Sequence, residues 1–215
     1  MMIKSLAVFG ICLSFILPLQ SQTESSTATE MQTAAQNRAR IRKSSLLKNY
    51  PVRNIGPVVQ GGRITDLEVV PGDPHTFYVG YASGGLFVTH NNGQSFAPIF
   101  DYQDALGIGD FAISPANPNL IWVGTGESNS SRSSYAGMGM FKSTNAGQTW
   151  QPSGLAGTHH IGRVIAHPSN ADIAWVAAIG ALYTENEARG VYKTTNGGQS
   201  WAKTLYINAH TGIID

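Results

Sequence analysis

The sequence predicts an all-β chain folded as a β-propeller, with three four-stranded antiparallel blades of a larger ring. Three observations carry this reading. One short motif occurs three times: Ser or Thr, any residue, Asn, any residue, Gly, Gln, Ser or Thr, then an aromatic. The copies are THNNGQSF (89–96), STNAGQTW (143–150) and TTNGGQSW (194–201). Their closing aromatics, Phe96, Trp150 and Trp201, lie 54 and 51 positions apart, and a fixed period near fifty residues marks a repeat architecture. Each copy also follows a short aromatic strand, GLFVT, GMFKS or GVYKT, and glycine is abundant at 24 residues. Short strands joined by tight turns need that composition.

The chain begins with Lys4 and an apolar run from Leu6 to Leu19, then turns polar. A basic start and an apolar stretch too short to cross a bilayer define a secretory signal peptide over 1–22. Cys12 is the only cysteine. It lies inside that run without the small preceding residue of a lipoprotein site. After cleavage the chain has no disulfide and no membrane span, so its stability must come from a core. Residues 23–50 are polar, lack glycine and contain NRARIRK. They read as a linker with a short helix around 31–47, its basic cluster a solvated face. The propeller then occupies 51–215.

Within the propeller, alignment on proline gives three first strands: RITDLEVVP (63–71), GIGDFAISP (107–115) and HIGRVIAHP (160–168). The turns GDP, ANP and SNA follow. Second strands are TFYVGYA, LIWVGTG and IAWVAAI, and third strands GLFVTH, GMFKST and GVYKTT. The repeated motif then turns the chain into a fourth strand starting at Phe96, Trp150 or Trp201. Four short strands per fifty residues make one blade. In the motif, Asn91, Asn145 and Asn196 are expected to fold back onto the backbone two residues on. Gly93, Gly147 and Gly198 supply the positive φ. Thr89, Ser143 and Thr194 open each turn, and the aromatics are expected to pack in the core, as are Trp122 and Trp175.

Topology places the remaining polar residues. The start of strand one and the loop from strand two to strand three share one face of a blade. The turn after strand one and the repeated motif share the other. Asp66, Asp110 and Arg163 occupy one aligned position early in the innermost strand and should border the central channel. Arg63 and His160 sit three residues earlier. The loops from strand two to three differ: SGG (83–85) is minimal, ESNSSRSSYAGMG (127–139) is long and ALYTENEAR (181–189) intermediate. Variable polar loops on a regular scaffold are where binding sites sit. The candidate ligand-binding residues are therefore Arg63, Asp66, Asp110, Glu127, Asn129, Arg132, His160 and Arg163. A plainer reading pairs Asp110 with Arg163 as a structural ion pair, and leaves Glu127, Asn129 and Arg132 in a self-satisfied loop. His159 and His160 lack a second cluster at metal spacing. His167 reads as a packed histidine. No metal and no cofactor is expected. A net charge of +1 with 13% charged residues argues against nucleic acid as partner.

The three motif copies are similar to the Asp-box, or BNR, signature, with Asn at the acidic position. The chain from residue 53 onward resembles secreted bacterial BNR-repeat proteins labelled sortilin-like or glycosyl hydrolase-like. The residues carrying the resemblance are RNIGP (53–57), GGRITD (61–66), SGGLF (83–87), IGD (108–110), VGTGESN (123–129), HIGRV (160–164) and RGVYKTTNGGQSW (189–201). It implies a large propeller like the luminal domain of the sorting receptors, continuing beyond residue 215, without their cysteine-rich module. The same boxes occur in sialidases and xyloglucan-cleaving hydrolases. The sialidase arginine motif is missing, Arg63 being a loose echo. A glycosidase needs two carboxylates about 5–10 Å apart, for which Asp66, Asp110 and Glu127 are the candidates. Three functions remain open: a secreted binding module for protein, peptide or glycan, part of a polysaccharide-cleaving hydrolase, or a structural propeller.

Overall fold

The computed structural model describes residues 24–50, 62–131 and 134–215. The signal peptide expected over 1–22, the RNIGP segment and Arg132 lie outside the described residues. Helix α1 (Ala28–Ser44) precedes the sheets. Its start is fixed by a capping box. The Thr27 hydroxyl accepts from the Glu30 amide at 3.2 Å, and the Glu30 carboxylate accepts from the Thr27 amide at 2.8 Å. That box places the helix about one turn earlier than the expected 31–47, and the extended backbone of Ser45 ends it. None of its residues is buried, as its polar sequence dictates. Among the described residues no helix is long and apolar enough to cross a membrane.

Three four-stranded antiparallel sheets follow. The first holds β1 (Ile64–Val69), β2 (Phe77–Tyr81), β3 (Gly85–Thr89) and β4 (Ala97–Pro98). The second holds β5 (Ile108–Ile113), β6 (Ile121–Thr125), β7 (Met140–Ser143) and β8 (Gln151–Pro152). The third holds β9 (Ile161–Ala166), β10 (Ala174–Ala178), β11 (Gly190–Thr194) and β12 (Ala202–Leu205). In each, consecutive strands are neighbours. The fourth strands are short, and Pro98 and Pro152 fall in them because a prolyl nitrogen is tolerated only at a sheet edge.

The sheets bury their faces against one another. One core cluster, with Tyr78, Leu86, Phe100, Ile121 and Phe141, joins the first two sheets. A second, with Trp122, Met140, Ile161, Val176 and Tyr192, joins the second and third. Adjacent residues Ile121 and Trp122 thus serve opposite clusters, the period-two alternation of a strand. Every residue of β5 and β6 is buried. In β1, by contrast, Ile64, Leu67 and Val69 are exposed, and so is all of β12, because the outer sheets are covered on one face only.

The repeated turns are alike in all three sheets. Asn92 and Gly93 both have positive φ (58° and 83°), as do Ala146 and Gly147 (54° and 84°) and Gly197 and Gly198 (67° and 81°). This is the type I′ pattern. The Asn side chain acts four residues on, not two as expected. Asn91 Oδ1 accepts from the Ser95 amide at 3.0 Å, Asn145 Oδ1 from Thr149 at 2.9 Å and Asn196 Oδ1 from Ser200 at 3.0 Å. The nearer amides go to the hydroxyl that opens the turn. The Gly93 amide donates to Thr89 Oγ1 at 3.0 Å, Gly147 to Ser143 at 2.8 Å and Gly198 to Thr194 at 2.9 Å. Each turn also donates to the turn after its own first strand: Asn92 to His75, Ala146 to Asn119 and Gly197 to Asp172.

The closing aromatics do not sit inside the core as expected. Phe96 is exposed and packs edge-on against Phe77. Trp150 and Trp201 are half-buried at the junctions between sheets. The Trp150 indole donates to the Ile99 carbonyl and Trp201 to Ser153, both at 2.7 Å. An indole N–H needs an acceptor when buried, and the preceding blade supplies it. Trp122 is the core tryptophan, fully buried and edge-on to Trp201. Trp175 is half-buried, between His167 stacked at 5.9 Å and the Lys193 ammonium at 5.0 Å.

Candidate functional site

The first strands β1, β5 and β9 lie side by side at the inner edge of the three sheets. Each carries a β-bulge at the same place. Register slips between Ile64 and Asp66 in β1, between Ile108 and Asp110 in β5, and between the partners of Ala178 and Ala177, Ile161 and Arg163, in β9. A bulge re-aims the following side chain. Asp66, Asp110 and Arg163, the three residues following the bulges, all line one cavity of about 270 Å³ together with Glu68. Gly109 and Gly162 occupy two of the bulges. A Cβ on Gly109 would lie 2.1 Å from the Ile161 carbonyl oxygen, so the close approach of the next blade requires glycine there.

Asp110 is the deepest of these groups. It is 4% exposed, and its Oδ2 accepts from the Val164 amide at 2.7 Å. Burial pushes its pKa up to about 7. The Val164 amide and Arg163 pull the other way, while the nearby Asp66 carboxyl adds to the rise. Glu68 is raised in the same direction, by burial and then by Asp66. The expected Asp110–Arg163 ion pair does not form. Arg163 Nε reaches Asp215 at 3.2 Å instead, and Asp110 takes a backbone donor of the same strand. Sequence reasoning missed Glu68, although two positions from Asp66 on a strand puts it on the same side.

A second group gathers at the strand-start rim, at the opposite end of the strands from the repeated turns. Arg63, just before β1, grips Glu127, just after β6. Arg63 Nε donates to Oε1 and Nη2 to Oε2, both at 2.6 Å. The Glu127 side chain is fully buried, so this bidentate pair fixes the first blade to the second and leaves neither carboxylate oxygen facing solvent. The Glu127 carbonyl accepts from His160 Nδ1 at 2.7 Å. His160 is 4% exposed, and burial lowers its pKa. It is therefore a neutral imidazole with its proton on Nδ1. His159, lowered by burial as well, donates from Nε2 to the Ser26 carbonyl at 2.9 Å and ties the segment before α1 to the rim.

The long loop is shaped from both sides. Gly126 has φ +85°, and a Cβ there would stand 1.9 Å from the His159 carbonyl oxygen. The Gly137 amide donates to that same oxygen at 2.6 Å. Asn129 is exposed at the tip. Tyr183, on the loop of the third blade, donates to the Ser131 carbonyl at 3.2 Å and accepts from Ser130 Oγ at 3.0 Å. Arg189 holds that loop from beneath, donating to the carbonyls of Ile179, Ala181 and Thr184 at 2.6–2.8 Å. Neither Tyr183 nor Arg189 stands out in the sequence, because each acts through the folded shape of a loop. Among the described residues, no group of three or more His, Cys, Asp or Glu side chains is set to hold a metal ion.

Three bladed sheets wound about a common inner edge define a β-propeller, and the likeness to solved structures agrees. A GH74 enzyme from Niastella koreensis aligns with TM-score 0.54 at 20% identity, over 66% of this chain and 22% of that one. An ancestral GH74 enzyme aligns with TM-score 0.48 at 27% identity, over 65% and 18%. YCF48 bound to D1 peptide aligns with TM-score 0.48 at 17% identity, over 69% and 42%. The chain thus spans about a fifth of the GH74 enzymes and less than half of YCF48. No family model matches the sequence, and no curated protein matches it to significance.

Proposed function

We propose that this chain is the propeller part of a secreted binding protein of the sortilin-like Asp-box kind, completed by further blades. A protein or peptide ligand lies on the face away from the repeated turns, bordered by Asn129 and Arg163. The observation that carries this reading is the commitment of the acids. Both oxygens of Glu127 are held by Arg63, and Asp110 Oδ2 by the Val164 amide. Those acids position the rim and do not reach across it, which suits a scaffold for recognition. The signal peptide read at 1–22 supports an address in the periplasm or outside the cell.

A second reading, part of a glycoside hydrolase acting on polysaccharide, is favoured by one observation. A carboxylic acid that keeps its proton up to about pH 7 beside a second carboxylate suits general acid catalysis. The test is a screen of the intact protein against peptide and polysaccharide arrays. The binding reading expects a peptide ligand whose affinity falls about tenfold in Arg163→Ala or Asn129→Ala, near 1.4 kcal/mol. Asn145→Ala, on the opposite face, should leave the affinity of the folded protein unchanged. Equal losses from both faces would refute the rim. Polysaccharide turnover abolished by Asp110→Asn in a folded protein would put the hydrolase in its place.

A further inference from the structure

The segment leading into α1 lies against the loops of the second and third blades. Glu24 and Ser26 are exposed and Ser25 is half-buried. The backbone at Thr27 is extended, with φ −73° and ψ 157°. The Ser26 carbonyl accepts the Nε2 proton of His159 at 2.9 Å. That donor is held in place by a strained backbone. His159 is 6% exposed and has φ +55°, and Leu155, on the other side of the short 3-10 helix Ala156–Thr158, has φ +57°. Strain of this kind persists where a site needs a particular geometry. The contacts that hold α1 down are weaker. None of its residues is buried. Arg38 meets Asp104 at 3.3 Å with the side chains 58% and 39% exposed, and such a pair contributes little. The Arg42 guanidinium lies 5.5 Å from the centre of the exposed Tyr102 ring. Nor does the segment fill its cleft. A cavity of about 340 Å³ remains, bounded by Ser25, Ser26, Ala136, His160, Leu182 and Tyr183 among others.

We propose that this cleft receives an extended peptide ligand, and that residues 24–27, strapped down by α1, are a built-in competitor which the ligand displaces. The inference rests on the peptide reading of this face. The chain's own segment shows what the cleft accepts: an extended backbone with one carbonyl on His159 Nε2. That N–H can serve the carbonyl of any peptide, so selectivity falls to the side chain that enters the cavity. In the segment that residue is Ser25, the half-buried one, and it is small. The cavity walls are predominantly apolar. A peptide with a larger apolar residue there buries area that the segment leaves open. The segment's advantage is its tether, which keeps it at a high effective concentration. Loosening α1 raises the fraction of open clefts, and the affinity of an incoming peptide rises by the same factor.

The experiment is an NMR titration of the intact, isotopically labelled protein with the unlabelled peptide ESSTATEM, the sequence of residues 24–31, and with its Ser25→Leu form. Both peptides should move the His159 Nε2 resonance and speed hydrogen exchange over residues 24–44 of the protein. The Leu form should bind about tenfold more tightly. Asp104→Lys sets two cations against each other at a residue that does not line the cleft. It should tighten both peptides about fivefold. Adding Arg38→Glu restores an opposite pair and should restore the wild-type affinity. His159→Phe keeps a ring, removes the donor and should abolish binding. If it fails to fold, the charge-swap series decides alone. No binding of either peptide, one affinity across the charge-swap series, or binding that leaves exchange over 24–44 unchanged would each overturn the proposal. The two readings fail separately. An array peptide that binds through Asn129 and Arg163 yet leaves 24–44 protected removes the competitor and keeps the recognition face. Displacement by the two test peptides with no array ligand keeps the cleft and its strap, and removes the recognition face.

Discussion

Replacing Asp110 by Asn should change how the stability of this protein depends on pH. In the unfolded chain the carboxyl releases its proton near 3.8, and in the fold near 7. Between those values the folded state holds a proton that the unfolded state has lost. The stability this confers is complete below the lower value and disappears as pH rises through the higher one. One pKa unit is worth about 1.4 kcal/mol, so the whole interval corresponds to at most about 4 kcal/mol. Asp66 shares the burden, and about half of that, near 2 kcal/mol, is expected at Asp110 alone. Asn is neutral at every pH. Its carbonyl oxygen can still accept from the Val164 amide, and its NH₂ can donate to Asp66. The assay is urea denaturation of both proteins from about pH 5 to about pH 8. His159 and His160, lowered by burial, contribute in the opposite sense, losing stability as pH falls. Subtracting one protein's curve from the other's removes them. The wild type should lose ground to Asp110→Asn by about 2 kcal/mol across that range. A constant difference between the two proteins would refute the burial argument.

Three other substitutions test the remaining framework. Arg63→Ala leaves the fully buried Glu127 carboxylate without its bidentate partner and should lower the urea midpoint, while an unchanged midpoint would mean that the pair is idle. Asn145→Ala removes the acceptor for the Thr149 amide and the Ser143 hydroxyl and should cost about 1–3 kcal/mol; a loss below a few tenths would show that the turn holds without it. Gly126→Ala places a methyl 1.9 Å from the His159 carbonyl oxygen at φ +85°, so soluble folded protein with a native-like circular dichroism spectrum would contradict the close approach of those two loops.

Most of the blade pattern was legible because it is local. Strand period, the Asn-x-Gly turns and the proline after each first strand are set by neighbours in sequence, and their repetition removes the ambiguity of any one copy. The alignment of Asp66, Asp110 and Arg163 followed from the same repeat. What was not legible depends on what packs against what. Trp150 and Trp201 look like core residues in sequence, but their N–H groups hold them at the blade junctions. The two-on reach expected of Asn91 failed because the Thr89 hydroxyl reaches the near amides first. The choice of Arg163 between Asp110 and Asp215 turns on a bulge and a distant segment. The role of Tyr183 appears only when two loops of different blades meet.

The junction tryptophans give the propeller a direction of construction. Trp150 donates to a carbonyl near the end of the first blade, and Trp201 to one near the end of the second. In both cases the acceptor lies about fifty residues nearer the N-terminus than the donor. Synthesis delivers the chain in that order, so the acceptor is on hand before the indole arrives. The aromatic of the first blade is Phe96, which has no N–H to satisfy. Each blade therefore closes against an edge already in place, and neither junction tryptophan has to be buried while its partner is still unmade.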